Sequence, residues 1–151
     1  MNNVGLQNLI FADAPRIVEA ISTGAGWEVW MQVELVLILR GAGLQAAREV
    51  HYPPPNANLI LDVIAQDNAG RYAIELKVES ATNAGAGIIQ GINADRAKLA
   101  YYPPLNPGAR WAVGIGYSAA AVRAMDAFAQ NGANNAIFAY HGNIGVLVAT
   151  V

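Results

Sequence analysis

Apolar residues along this chain fall into two rhythms. Over residues 71–79 (RYAIELKVE) they alternate: Ile74, Leu76 and Val78 share one side of a strand, and Glu75, Lys77 and Glu79 share the other. Residues 58–65 (NLILDVIA) are rich in branched apolar side chains and predict the preceding strand, with the turn Gln66-Asp67-Asn68-Ala69-Gly70 between them. Residues 27–40 form an apolar helical run that Gly41-Ala42-Gly43 stops. Before it, Asp13 is placed to cap a helix through Ile21, with Pro15 in its first turn and Ser22-Thr23-Gly24 at its end. Residues 48–52 predict a short strand closed by Pro53-Pro54-Pro55. Thr82 or Asn83 is expected to cap a helix that is established by Ile88 and ends near Tyr101, its opening Ala84-Gly85-Ala86-Gly87 being weakly helical. A Pro-rich loop, a buried strand over residues 111–117 and a helix capped by Ser118 follow. A hairpin around His141-Gly142-Asn143 ends the pattern.

The predicted order is helix, helix, three strands, helix, strand, helix, two strands. That is an α/β (α+β) fold with a central mixed sheet flanked by helices, in a single domain over residues 1–151. Tyr-Pro-Pro-x-Asn occurs at residues 52–56 and again at 102–106, attached to unlike elements, and reads as two stiff connectors. The pair Gly114-Ile115-Gly116 begins like a dinucleotide fingerprint, but Ala119 stands where its third glycine belongs.

Composition narrows the function classes. Apolar residues make up 54% of the chain and charged ones 13%, about half the ~25% of an ordinary soluble domain. Nine Lys and Arg against 11 Asp and Glu leave a net charge of −2, which disfavours a generic nucleic-acid coating protein. The absence of cysteine removes disulfides, thiolate zinc sites and Cys nucleophiles. No early basic residue or signal pattern opens the chain, and the run from Trp27 to Leu39 is too short and too charged to span a bilayer. A cytoplasmic protein is expected, without membrane contact. The apolar surplus fits a chain that hides surface in a homodimer.

The chemistry concentrates in the central hairpin. A turn centred between Asn68 and Ala69 sets Asp62 opposite Glu75. Directly opposed Cβ atoms stand ~4.5–5.5 Å apart, so two carboxylates there repel unless something compensates. A hard divalent cation, Mg²⁺ or Mn²⁺, does so directly, and Lys77 on the same face offsets part of the charge. Glu34 adds a second signal. Its helical neighbours Trp30, Met31, Leu37 and Ile38 are all apolar, so its carboxylate has to snorkel at the edge of the stripe, meet an Arg or Lys, or be coordinated. Glu28, with Gln32 one turn on, reads as an ordinary exposed acid.

A helix with Glu34, a hairpin with Asp62, and Glu75-Leu76-Lys77 on its second strand, followed by a helix and a strand, resembles the PD-(D/E)xK nuclease (restriction-endonuclease-like) superfamily. The resemblance covers residues 26–117, with Leu61 in place of the proline before Asp62. It implies a metal-dependent nuclease that hydrolyses phosphodiester bonds in DNA or RNA with Mg²⁺ or Mn²⁺. By the same resemblance, Asp62, Glu75 and the main-chain carbonyl of Leu76 hold the metal, and Glu34 is a further ligand or holds a water. Lys77 orients or helps to deprotonate the attacking water, and Gln90 is an accessory residue. Glu79 shares the face of Glu75 and Lys77 and is a second accessory candidate. Arg71, Arg96 and Lys98 are candidate nucleic-acid contacts, and Tyr72, Tyr101 and Tyr102 are candidate stacking platforms. His51 and His141 lie far apart and read as structural. The low charge keeps a second reading open: a non-cleaving binding protein on the same fold, such as a toxin-immunity protein or the partner subunit of a nuclease.

Overall fold

The computed structural model describes residues 1–24 and 26–151. Its elements are the helices α1 (Asn3–Ala12), α2 (Ala14–Ser22) and α3 (Trp27–Gly41), then the strands β1 (Gln45–His51), β2 (Ile60–Asp67) and β3 (Gly70–Val78). They are followed by α4 (Ile88–Leu99), β4 (Gly108–Gly116), α5 (Ala119–Gln130), β5 (Ala136–His141) and β6 (Ile144–Thr150). The six strands form one mixed sheet in the order β1-β2-β3-β4-β6-β5, with β3 and β4 parallel and every other neighbour antiparallel. This is the α+β sheet flanked by helices that the sequence pattern predicts.

Alternation along the strands divides the core in two. Val63, Ile74, Leu76, Val78, Val113 and Ile115 face α1, α2 and α3 and pack against Leu6, Ile10, Ile17, Met31 and Leu35. On the other face Leu61, Ala73 and Ala112 meet Ile88, Ile92 and Leu99 of α4 and Ala121 and Met125 of α5. Gly114 lets these layers close, because a Cβ there would stand 2.5 Å from Ile92 Cδ1. The Gly-Ile-Gly run is therefore a packing feature.

The central hairpin keeps the expected register, from Val63↔Ile74 to Asp67↔Gly70. Asp67 Oδ1 accepts from the amides of Ala69 and Gly70, at 2.8 and 2.9 Å, which fixes a tighter turn than the five residues expected and lengthens β2 to Asp67. The last hairpin turns on Gly142 and Asn143, both left-handed (φ 57° and 68°), as a two-residue connection requires.

Several expectations change. Residues 3–12, for which the pattern predicts no element, form α1. Asn2 Oδ1 caps it by accepting from Gly5 N at 2.8 Å, and Leu6 and Ile10 bury one turn apart, so an i, i+4 pair outweighs Gly5 and the flanking asparagines. Asp13 occupies the N-cap of α2 but makes no side-chain cap bond. Neither Thr82 nor Asn83 caps α4. Asn83 Oδ1 accepts from the Ser80 amide and hydroxyl, each at 2.6 Å, and residues 85–87 form a 3₁₀ turn before Ile88. β1 begins three residues before the expected Arg48, with Ala46 turned inward. The two Tyr-Pro-Pro connectors meet: Tyr52 and Tyr102 pack edge to face at 4.9 Å, and Asn56 Nδ2 donates to Tyr101 O at 3.1 Å.

Candidate functional site

Asp62 lies where both of its strand ladders open. On β1 the pairing runs Arg48↔Val63 and Val50↔Leu61 and skips Glu49, whose φ of 54° turns the backbone out of the strand. On β3 the pairing stops at Val63↔Ile74, one step short of Asp62 and Glu75. Asp62 fills the gap itself, accepting the Leu76 amide on Oδ2 at 2.8 Å. A side chain thus replaces a ladder acceptor at the point where the two carboxylates stand abreast.

Glu75 is 1% exposed. Tyr52 Oη donates to its Oε1 and Lys98 Nζ to its Oε2, each at 2.8 Å. Burial, and then the neighbouring Asp62 charge, push its carboxyl up to about 8 against the pull of these two donors. Lys77 Nζ sits 3.1 Å from Glu28 Oε1 and 3.3 Å from Oε2. Burial works against its charge, but Asp95, Glu28 and Asp62 prevail and raise its proton affinity, so the ammonium form persists. Its stem crosses α4 at Gly91, where a Cβ would lie 2.8 Å from Lys77 Cδ. Asp95, on α4, is raised to about 7, first by burial and then by Asp62 against the pull of Lys77. Its Oδ2 is buried and has no hydrogen-bond partner.

Four carboxyl groups (Glu28, Asp62, Glu75, Asp95) therefore gather around two ammonium groups (Lys77, Lys98), and burial keeps protons on two of the four, Glu75 and Asp95, up toward neutral pH. The orphaned Asp95 oxygen and the all-oxygen acceptor set are of the donor type that suits a hard divalent cation. As the side chains stand, no three acidic or imidazole groups among the described residues come within joint reach of a metal ion.

Asp62, Glu75 and Lys77 thus come together as expected, and Leu76 is tied to them through its amide. Glu34 does not join them. It is 5% exposed and accepts from Arg16 Nη2 at 2.9 Å, with burial raising its pKa, Arg16 lowering it and Asp13 adding to the rise. Its apolar stripe did signal a required partner, and the partner is an arginine of α2. The helical acid of the site is Glu28, whose sequence neighbours predict an ordinary exposed acid. Six residues before Glu34, it is rotated about 240° and displaced ~9 Å along the axis, so the first turn of α3 overhangs the end of β3. Trp27 anchors that overhang by donating from Nε1 to Glu79 O at 2.8 Å.

Gln90 is exposed, and α4 presents Asp95 and Lys98 to the cluster instead. Glu79 is 1% exposed and serves as a clamp at the strand end. It accepts from the amides of Gly85, Tyr117 and Ser118 at 2.8–2.9 Å and from the Ser118 hydroxyl at 2.6 Å. Those bonds overcome its burial and lower its pKa. Of the expected nucleic-acid contacts, Lys98 is bound to Glu75, and Arg96 bonds Asn134 and lies 5.5 Å from the Phe128 ring centre. Arg71 sits four residues from Glu75 along β3, roughly 13 Å at ~3.3 Å per residue. Tyr72 and Tyr102 are buried and only Tyr101 is exposed, so the first two offer no stacking face. His51 Nδ1 meets Ala57 O at 2.9 Å and His141 packs edge-on to Phe11, both away from the cluster.

Comparison of the chain with protein-family models, curated proteins and solved structures finds no match. No helix among the described residues is long and apolar enough to cross a membrane.

Proposed function

We propose that this protein is a metal-dependent nuclease that hydrolyses phosphodiester bonds in DNA or RNA. The observation that carries the proposal is the oxygen-rich cluster at the opened ladder, with Asp62 and Glu75 abreast and Lys77 beside them. The order α3, β1, β2, β3, α4, β4 is also the order that the PD-(D/E)xK resemblance implies.

Asp62, Glu75 and the Leu76 carbonyl are the groups that would hold Mg²⁺ or Mn²⁺. Bound there, the cation supplies polarisation of a phosphoryl oxygen, acidification of water and neutralisation of the leaving oxygen. Lys77 keeps its proton, so its role is to orient water and stabilise developing negative charge; Glu28 holds the ammonium group in place. Asp95 Oδ2, buried beside them, has no hydrogen-bond donor of its own. Tyr52 and Lys98 fix the plane of the Glu75 carboxylate.

The test is cleavage of single- and double-stranded DNA and RNA with Mg²⁺ and with Mn²⁺. Activity that disappears in Lys77→Ala and Glu75→Ala, with circular dichroism unchanged, supports the reading. Intact substrates at high protein concentration with both metals retire it.

One observation favours the second reading, a binding protein on the same scaffold such as an immunity protein or a nuclease partner subunit. Both Glu75 oxygens already have donors, and Lys98 supplies there the positive charge a metal would bring. A tight protein partner whose binding is indifferent to Lys77→Ala, from a chain without cleavage, would decide for it. The expected homodimer also stands as a proposal. Val29, Val33 and Leu37 form an exposed stripe on α3, 39–57% accessible, and a monomer by sedimentation at high concentration removes it.

A further inference from the structure

A cleft of about 610 Å³ opens beside the cluster, between the first turn of α3, the segment after β3 and the end of β4. Its volume falls within the range of small-ligand sites. Trp27 and Tyr117 form its aromatic wall, with ring centres 6.4 Å apart and planes inclined by 56°. Trp27 is 5% exposed and its indole N–H is committed to Glu79 O, so the ring is fixed. Tyr117 is 42% exposed. Its backbone is held by the Glu79 clamp, so the exposed ring stands on a rigid base. Ser80 and Thr82 also line it, their hydroxyls 3.1 Å apart. Glu28 belongs to both places: it lines the cleft and bonds Lys77.

We infer that this cleft receives an unpaired nucleobase from the strand whose phosphodiester lies at the Asp62–Glu75–Lys77 cluster, so that the substrate class is single-stranded or locally unstacked nucleic acid. The inference rests on the nuclease reading for the position of the phosphate. An aromatic face that carries no charge stacks on any base. Glu28, at the mouth, is an acceptor for an exocyclic amine. The low positive charge of the chain is consistent with this mode, because base stacking supplies affinity that a basic groove would otherwise have to provide. A paired base cannot enter without leaving its stack, which separates the two substrate classes.

The experiment measures binding of a short, mixed-sequence, fluorescent oligonucleotide in EDTA, which prevents metal-dependent cleavage. Wild type and Tyr117→Ala are compared, with circular dichroism confirming that both fold. Single-stranded DNA or RNA is expected to bind wild type more tightly than its duplex, and Tyr117→Ala to weaken it roughly tenfold or more. An abasic strand is expected to bind both proteins equally weakly. Equal affinity of the complete strand for both proteins, preference for duplex, or no binding overturns the inference. So does capture of a tryptophan-containing peptide where no strand binds, which assigns the cleft to a protein ligand. Cleavage that survives with stacking-independent binding removes this inference alone. Tyr117-dependent binding without cleavage under either metal removes the nuclease reading and leaves the base site standing.

Discussion

Lys98 Nζ and Glu75 Oε2 are 2.8 Å apart, and with Tyr52 on the other oxygen they hold the deepest carboxylate of the cluster from two sides. Removing a donor leaves a buried acceptor without its partner. Tyr52→Phe is expected to lower stability by about 1–3 kcal/mol, read as a shift of the urea midpoint with an unchanged slope. Lys98→Met removes a charge that favours ionised Glu75, so the Glu75 carboxyl should take its proton at still higher pH, followed by its carboxyl carbon resonance.

Stability should fall as pH rises from about 5 to 8. The Glu75 and Asp95 carboxyls, at about 8 and about 7, bind protons in the folded chain that the unfolded chain has already released, since an unfolded Glu or Asp titrates near 4. Between those limits the folded state holds more protons, so raising pH favours unfolding, and the loss is complete above the folded values. Glu75→Gln should flatten the profile. A midpoint that climbs steadily from pH 5 to pH 8 would contradict this assignment.

Mg²⁺ or Mn²⁺ should compete with those protons. Binding is expected to tighten as pH rises toward 8 and to release protons near pH 7, measurable by calorimetry in buffers of different ionisation enthalpy. Asp62→Asn should weaken the metal and lessen that release.

The two acids of α3 should separate in function. Glu28→Gln frees Lys77 and is expected to reduce cleavage with little change in stability, because the pair is half-exposed. Glu34→Gln should leave cleavage intact and alter stability, since it disturbs contacts with Arg16 and Asp13 away from the cluster. The reverse outcome would restore Glu34 to the site.

Gly91→Ala supplies a methyl group where the stem of Lys77 now lies. The helix gains up to about 1 kcal/mol of intrinsic preference, while Lys77 must move aside. The expected result is a folded protein with sharply reduced cleavage, the displaced Lys77 stem offsetting the gain in helix preference.

How far the site could be read in advance follows from which contacts are local. The Asp62–Glu75 alignment was legible because a short turn sets hairpin register, and Asp67 with Gly70 makes that turn. Alternation likewise placed Lys77 on the correct face. Glu34 was legible as a carboxylate in need of a partner, but the identity of that partner depends on how α2 packs against α3. Glu28, Tyr52, Asp95 and Lys98 reach the cluster through tertiary placement of a helix start, a loop and a second helix. Asp95 and Lys98 did leave one local trace, an acid and a base three residues apart on one helical face. Helix α1 was missed because its glycine and asparagines obscured a single buried pair.

The opened ladder at Asp62 also supplies a reporter. The Leu76 amide donates to the Asp62 side chain, whereas a regular ladder would give it a neighbouring carbonyl. Its proton resonance and its exchange with solvent should therefore track the ionisation and ligation state of the site directly. One backbone signal, in the middle of a buried strand, reads the occupancy of the cluster without a label, a substrate or any turnover.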